Sequence, residues 1–369
     1  MLFRSVERAK SMPFKDRLFL YADRNNPADQ YFDHNTEIGV TRTMARFAQM
    51  GYGKISVNFS EWGASSYIGD PFTANTYTLL NTTFADPFKY GETSIGNALT
   101  KEMAENLQAE TIVQTLGLIR TWDFVNTATV YEMFEAPQPI PLDGDGYQYG
   151  LAAPQLKPDG TPDWKPAGNI YNAFLRGQEI HQVHSHGVDI HISAATGTFE
   201  DALLNPDAHN VILFNDNKPH SINTGMGDDI IFGGGGDDFI TGGSGNNRLF
   251  GGFGNDIIVG GPDNDKIEGG AGGDLLSGGG GKNEFVFSAY ANSGSGFDGH
   301  DTITDFKATD ILNIVGGYSF EKLQIKDATE GGMKGALVNY ASNSASIFLQ
   351  NFTKASLMTT NFRIFEPDD

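Results

Sequence analysis

The sequence predicts a mixed architecture. Parallel α/β units fill the first half, a coil of stacked parallel strands follows, and a β-rich segment closes the chain. Three observations predict it. Apolar runs of period two alternate with runs of helical period before residue 180. From Thr224 to Phe285 the chain repeats every nine residues without a slip. Short strand-like runs follow the repeats.

Composition limits the function classes. The 369 residues suffice for two or three domains, and 39% hydrophobic content permits a real core. A formal charge of -21 argues against nucleic-acid binding, which wants a basic stripe, and disfavours an anionic membrane surface. There is no cysteine, hence no disulfide or zinc–thiolate site, which also suits a protein exported unfolded. No apolar run reaches the roughly 18 residues of a membrane span, so no membrane insertion is expected. The start, MLFRSVERAK, lacks the apolar core of a secretory signal peptide and reads as a truncation.

Taken in order, Arg17 to Ala22 reads as a strand, and Asn35 to Met50 as a helix that stops before Gly51. Ile55 to Trp62 alternates, with Ile55, Val57, Phe59 and Glu61 on one face. A helix is predicted over about Thr100 to Ile119, with Met103, Ala104, Leu107, Val113 and Leu116 as apolar positions. Phe124 to Phe134 reads as a strand, Tyr147 to Pro166 as irregular, and Ala167 to Leu175 as a short helix. This is the β-α-β-α-β-α order of parallel units.

The segments ISVNFSEWG, ATVYEMFE and YGLAAPQLKPDGTPDWKPAGNIYNAF, in that order, resemble the C-terminal third of a retaining (β/α)8-barrel glycoside hydrolase. Gly150-Leu151, Asp159-Gly160 and Lys165-Pro166-Ala167 carry the match to the tail of that fold. The resemblance spans roughly Phe14 to Gly177 and implies a partial barrel, its last three βα units. It makes Glu61 the catalytic nucleophile, with Trp62, Tyr131 and Glu132 lining a sugar-binding pocket, and polysaccharide a partner. Glu61 does end a strand, and in barrels that end is the active-site face. A solvated Glu where strand becomes loop is the competing reading. Retaining hydrolysis needs a second carboxyl about 5–5.5 Å away. The family takes it from a fourth strand that is missing here, so the chain alone is expected to be inactive.

Glu179 to Asn210 forms a bridge that includes HQVHSHGVDIH. His184 and His186 share one face of an extended segment, which suits either a metal pair or exposed polar positions. There is no HExxH or GxSxG, which disfavours a zinc protease or a lipase. Val211 to Phe214 is expected to lead into the coil.

The repeats read TGMGDDIIF, GGGGDDFIT, GGSGNNRLF, GGFGNDIIV, GGPDNDKIE, GGAGGDLLS and GGGGKNEFV. Position 2 is always glycine (Gly225, Gly234, Gly243, Gly252, Gly261, Gly270, Gly279). Position 4 is glycine (Gly227, Gly236, Gly245, Gly254, Gly272, Gly281) except at Asp263. Such a run suits a tight turn with positive φ and outward carbonyls. Position 6 is acid or amide: Asp229, Asp238, Asn247, Asp256, Asp265, Asp274 and Asn283. Position 8 is large and apolar: Ile231, Ile240, Leu249, Ile258, Ile267, Leu276 and Phe285. With a period of two, position 8 points inward and positions 7 and 9 outward. Each unit is then a six-residue turn and a three-residue strand, and two units complete a coil. Turns eighteen residues apart stack about 4.8 Å apart. One edge carries Asp229, Asn247, Asp265 and Asn283, and the other Asp238, Asp256 and Asp274. Carboxylate and carbonyl oxygens from stacked turns make an all-oxygen site, which is calcium chemistry. The all-Asp edge is expected to bind better. A weaker copy, NDNKPHSIN from Asn215, keeps only Ile222 in register.

The pattern resembles the RTX (repeats-in-toxin) nonapeptide GGxGxDxUx, which implies a right-handed parallel β-roll. EFVFSAYANSGSGFDGHDTITDFKATDILNI resembles the closing segment of such proteins. Asp301, Asp305 and Asp310 can hold one further calcium or serve as turn and cap residues. Ala336 to Tyr340 and Ala345 to Leu349 are expected to cap the coil with strands. The resemblance implies an uncleaved type I secretion signal near the C-terminus, the type I secretion machinery as a partner, and a secreted, extracellular protein.

The expected division is 1–180 for the barrel portion, 181–222 for the bridge, 223–287 for the calcium-binding roll, and 288–369 for cap and secretion region. Two function classes stay open: the end of a secreted glycoside hydrolase, or a non-catalytic RTX surface or matrix protein.

Overall fold

A computed structural model describes residues 57–62, 101–121, 125–130, 151–184, 187–193, 207–288, 299–315, 320–340 and 345–365. The α/β part holds β1 (Val57–Trp62), α1 (Lys101–Thr121), β2 (Val125–Val130), β3 (Ala152–Leu156), β4 (Pro162–Trp164) and α2 (Pro166–Arg176). The bridge holds β5 (Ile180–Val183), β6 (Val188–Ser193) and β7 (His209–Phe214). The coil holds β8 (Ser221–Asn223), β9 (Ile230–Gly235), β10 (Phe239–Thr241), β11 (Arg248–Phe253), β12 (Ile257–Gly261), β13 (Lys266–Ala271), β14 (Leu275–Gly279) and β15 (Glu284–Ser288). Then come β16 (His300–Ile303), β17 (Ile311–Val315), β18 (Gln324–Glu330), β19 (Met333–Asn339), β20 (Ser346–Gln350) and β21 (Phe362–Phe365). Among the described residues no helix is long and apolar enough to cross a membrane.

Successive repeat strands fall alternately into two sheets, which makes a parallel β-roll. One has eight strands in the order β18-β19-β20-β16-β14-β12-β10-β8. The other has nine, β21-β17-β15-β13-β11-β9-β7-β6-β5. The eighteen-residue register holds throughout the repeats: Ile231 pairs with Leu249 and Leu249 with Ile267, while Ile240 pairs with Ile258 and Ile258 with Leu276. All seven position-8 side chains are fully buried between the sheets. They stack with Ile212, Leu312 and Ile347 into one apolar column. Burial of that column is the main apolar gain of the roll. Strands in the nine-stranded sheet run longer than the three residues expected, because glycines join the ladder: Gly234 pairs with Gly252 and Gly252 with Gly270.

The roll starts earlier and ends later than the repeats. The predicted strand at Val211 to Phe214 is β7, paired parallel with β9. Beyond the last repeat, β16 and β17 continue the two sheets, and the expected cap strands appear as β19 and β20. The sequence reading missed β18. Its residues, QIKDATE, are mostly polar, and their charges suit a sheet edge that must not recruit another chain.

In the first half, the expected strand at Arg17 to Ala22 and helix at Asn35 to Met50 lie outside the described residues. The helix expected at Thr100 is α1, and the one expected at Ala167 is α2, with Pro166 in its first turn and Gly177 closing it at φ 59°. The segment expected to be irregular instead contains the β3–β4 hairpin, which pairs Ala152 with Trp164. The signal was the Asp-Gly turn: Asp159 accepts a hydrogen bond from the Thr161 amide, and Gly160 sits at φ 82°. β1 and β2 pair in parallel, and α1 lies between them in sequence. Among the described residues these two strands do not extend into a barrel.

α1 packs on the outside of the roll. Ile112, Val113, Leu116 and Leu118 share a core with Ile230, Phe232 and Phe250, and with Ala167 and Ile170 of α2. A methyl group at Gly117 would lie 2.4 Å from the Phe232 ring, so the helix sits flat on that ring only as glycine. Positions 7 and 9 therefore do not all face water. Phe239, Ile257 and Leu275 on the eight-stranded sheet are exposed, but Ile230, Phe232 and Phe250 are buried beneath α1.

Candidate calcium sites

The turns at the two edges are joined by side-chain ladders. At position 6, one carboxyl or amide oxygen accepts the backbone N–H of its counterpart one coil earlier. Asp256 Oδ1 takes the Asp238 amide at 2.7 Å, Asp274 Oδ1 takes Asp256 at 2.8 Å, and Asp265 Oδ1 takes Asn247 at 2.8 Å. Asn247 and Asn283 do the same for Asp229 and Asp265. Beyond the repeats, Asp301 and Asp310 carry the two ladders on, accepting from Asp274 and Asn283 across a longer, 27-residue step.

The second oxygen is what remains. Oδ2 of Asp238, Asp256, Asp265 and Asp274 is buried without a hydrogen-bond partner. A buried carboxylate oxygen left so is costly unless a charge compensates it. Each faces a small space beside a position-1 glycine. A Cβ on Gly251 would lie 2.2 Å from Asp256 Oδ2 and 2.5 Å from the Gly269 carbonyl oxygen. A Cβ on Gly233 would meet Asp238 Oδ2 and Gly251 O, and one on Gly260 would meet Asp265 Oδ2 and Gly278 O. The converging donors are all oxygen, the set that suits calcium. Asp238, Asp256, Asp265 and Asp274, with the carbonyls of Gly251, Gly269 and Gly278, are the residues that would hold it. Gly251→Ala is expected to fill this cradle, at a cost of about 1–3 kcal/mol of overpacking. Calorimetric calcium titration should show at least one fewer bound ion.

Electrostatics agree. Burial pushes the carboxyls of Asp256 and Asp265 up to about 7. It also raises Asp274, and the like charge of the neighbouring Asp301 raises it further. A divalent cation in contact would reverse that pressure. Asp229 is also pushed up to about 7 by burial and its Oδ2 is likewise unpartnered, but Thr224 stands at position 1 of its copy and its hydroxyl takes the Gly242 carbonyl at 2.8 Å.

Where calcium chemistry lapses, other groups take the carbonyls. The Asn247 amide donates to Gly245 O at 3.1 Å, and Asn283 to Gly280 O at 2.8 Å. The Lys307 ammonium donates to Gly279 O and Gly280 O, a fixed cation beyond the last repeat. At the other end the weak copy keeps more than Ile222. His220 fills its position 6, its amide donates to Asp238 Oδ1 at 2.8 Å, and its ring lies between Asp216 and Asp238.

The remaining sequence candidates are placed as follows. The position-2 glycines sit in the coil stack, where the Gly225 carbonyl accepts the Ser244 amide. Positions 2 and 4 take positive φ, including Gly225, Gly227, Gly236, Gly252, Gly254, Gly270 and Gly272, but neither Gly261 nor Asp263 does. Pro262 separates those two, and Asp263 Oδ2 instead accepts the Gly245 amide. Both Asp305 oxygens are engaged, by the Gly278 and Gly279 amides and the Ser277 hydroxyl. Sequence reasoning missed position 5. Asp228 accepts from Asn246, Asn246 from Asn264, and Asp237 from Asn255, in the opposite direction to the position-6 ladder. The signal was present, since five of the seven copies carry Asp or Asn there. His184 is held by Glu110 of α1 at 2.7 Å, and His186 lies outside the described residues. Glu61 and Trp62 end β1, while Tyr131 and Glu132 follow β2 and lie outside the described residues.

A parallel roll with oxygen-lined edges defines a calcium-binding repeat protein. Residues 223–258 and 250–285 match the family model of the RTX calcium-binding nonapeptide repeat (4 copies). No curated protein matches the chain.

Proposed function

We propose that this chain is a secreted, extracellular protein whose roll folds when it meets calcium after export by a type I secretion route. The observation that carries the reading is the row of buried, unpartnered Oδ2 atoms on Asp238, Asp256, Asp265 and Asp274. The position-8 column, with Ile230, Phe232 and Phe250 beneath α1, is a small apolar burial against the entropy of ordering a glycine-rich chain, so ion binding must supply folding free energy. Extracellular calcium modules bind with Kd on the order of 10⁻⁴–10⁻³ M, far above cytosolic free calcium. The chain would therefore stay unfolded inside the cell and fit a narrow export channel. Far-UV circular dichroism of the full chain in chelator and in millimolar calcium tests this. A calcium-dependent gain of β signal is expected, and a spectrum that ignores calcium sinks the proposal.

A second reading adds a glycoside hydrolase to this module. It is favoured by the parallel pairing of β1 with β2, which sets Trp62 opposite Val130 and brings the strand ends bearing Glu61 and leading into Tyr131 and Glu132 together. In such folds catalytic carboxylates sit at that end. Glu61 would be the nucleophile, and a polysaccharide or oligosaccharide the substrate. The coding sequence upstream of Met1 tests it: an Asn-Glu ending a fourth barrel strand supports the enzyme, and a further array of repeats supports a non-catalytic surface or matrix protein.

A further inference from the structure

We propose that His181, Asp189 and His191 form a site for one borderline divalent cation of the zinc class, separate from the calcium edges. The β5–β6 hairpin builds it. His181 lies directly opposite His191 across the antiparallel pair, and their rings stack with centroids 4.1 Å apart at 14°. Asp189 precedes His191 by two residues, so both project from one face of β6. One donor atom from each of the three lies within 4.8 Å of the other two.

The surroundings suit an ion. Asp189 and His191 are only 3% and 4% exposed, and His181 at the solvent side leaves a way in. Asp189 Oδ1 is buried with no hydrogen-bond partner, so a carboxylate oxygen of this residue is left for a cation. Two imidazoles and one carboxylate are not a calcium set; they match zinc sites with three protein ligands and an open fourth position. Zinc bonds of about 2.0–2.1 Å place tetrahedral donors roughly 3.3 Å apart, so the three need draw in by no more than about 1.5 Å.

The fold sets this site apart from the roll's ions. β5 is the outermost strand of the nine-stranded sheet, and β6 and β7 stand between it and the first repeat strand. The inference therefore does not rest on calcium-triggered folding.

The test uses the full chain in saturating calcium, titrated with Zn²⁺ by calorimetry and with Co²⁺ by visible absorption. One zinc ion with a Kd on the order of micromolar or tighter is expected, and cobalt should show the intense bands of four-coordination. His181→Ala and the near-isosteric Asp189→Asn should each weaken zinc by at least about tenfold, since even outer-shell changes cost 10–100-fold. Circular dichroism confirms that each variant remains folded. Asp256→Asn, on a calcium edge, should leave zinc affinity unchanged. The site is overturned by no zinc binding, by a six-coordinate cobalt spectrum, or by zinc affinity that survives both hairpin variants.

Discussion

Asp256→Ala is expected to remove bound calcium and raise the calcium midpoint for folding by at least tenfold, whereas Asn247→Ala removes no ion. Both residues accept an amide from the preceding coil, Asp238 in one case and Asp229 in the other. Either truncation therefore strands a buried N–H, at about 1–3 kcal/mol. The difference lies in the second side-chain atom. Asp256 offers an unpartnered Oδ2, while the Asn247 amide nitrogen is already spent on Gly245 O and on Asp265 Oδ1. Asp256→Asn separates the effects, because it keeps the ladder acceptor and loses the anionic ligand. Calcium stoichiometry by equilibrium dialysis, read beside circular dichroism in saturating calcium, should fall for Asp256→Asn while the roll stays folded. Equal stoichiometry in all three variants would refute the assignment of Oδ2 as a ligand.

In chelator, the roll is expected to be less folded as pH rises, and saturating calcium should cancel that dependence. Asp256 and Asp265 have folded values near 7 against an ordinary value of 3.8. The folded state thus binds more protons between those limits, and stability falls as pH climbs through them. The contribution is fully present below about 3.8 and lost above about 7. Calcium needs the deprotonated carboxylates, so its stabilisation grows over the same window. Far-UV circular dichroism at pH 5 and pH 8, each with chelator and with calcium, reads the effect as a gap in β signal that widens at pH 8. A gap that narrows there would count against cation binding at these carboxyls.

What was legible in the sequence follows from what repeats. Positions 2, 6 and 8 recur in every copy, and so the inward Ile and Leu column and the two unequal edges could be read directly. The position-5 ladder was hidden because its side chains look like generic turn residues, and only stacking shows that they accept amides in the reverse sense. The burial of Phe232 and Phe250 was hidden for another reason: a strand's outer face takes its character from whatever packs on it, here α1. Two aromatics at position 9 of alternate copies were the available hint. The His181–Asp189–His191 grouping depends on hairpin register, which a string of histidines does not specify. His184 and His186 looked like partners by spacing, yet His184 turns to Glu110.

The alternation of strands between two sheets also sets a rule of parity. Inserting a single nonapeptide would send every later strand to the opposite sheet and every later Asp to the opposite rim. The closing strands β16 and β20 would then share a sheet with β5, β6 and β7, while Lys307 would keep Gly279 and Gly280, which turn over with it. Only pairs of units can be gained or lost without turning the closing end over relative to β5, β6, β7 and α1. The unit in which this array can grow or shrink is therefore eighteen residues, twice the period that its sequence displays.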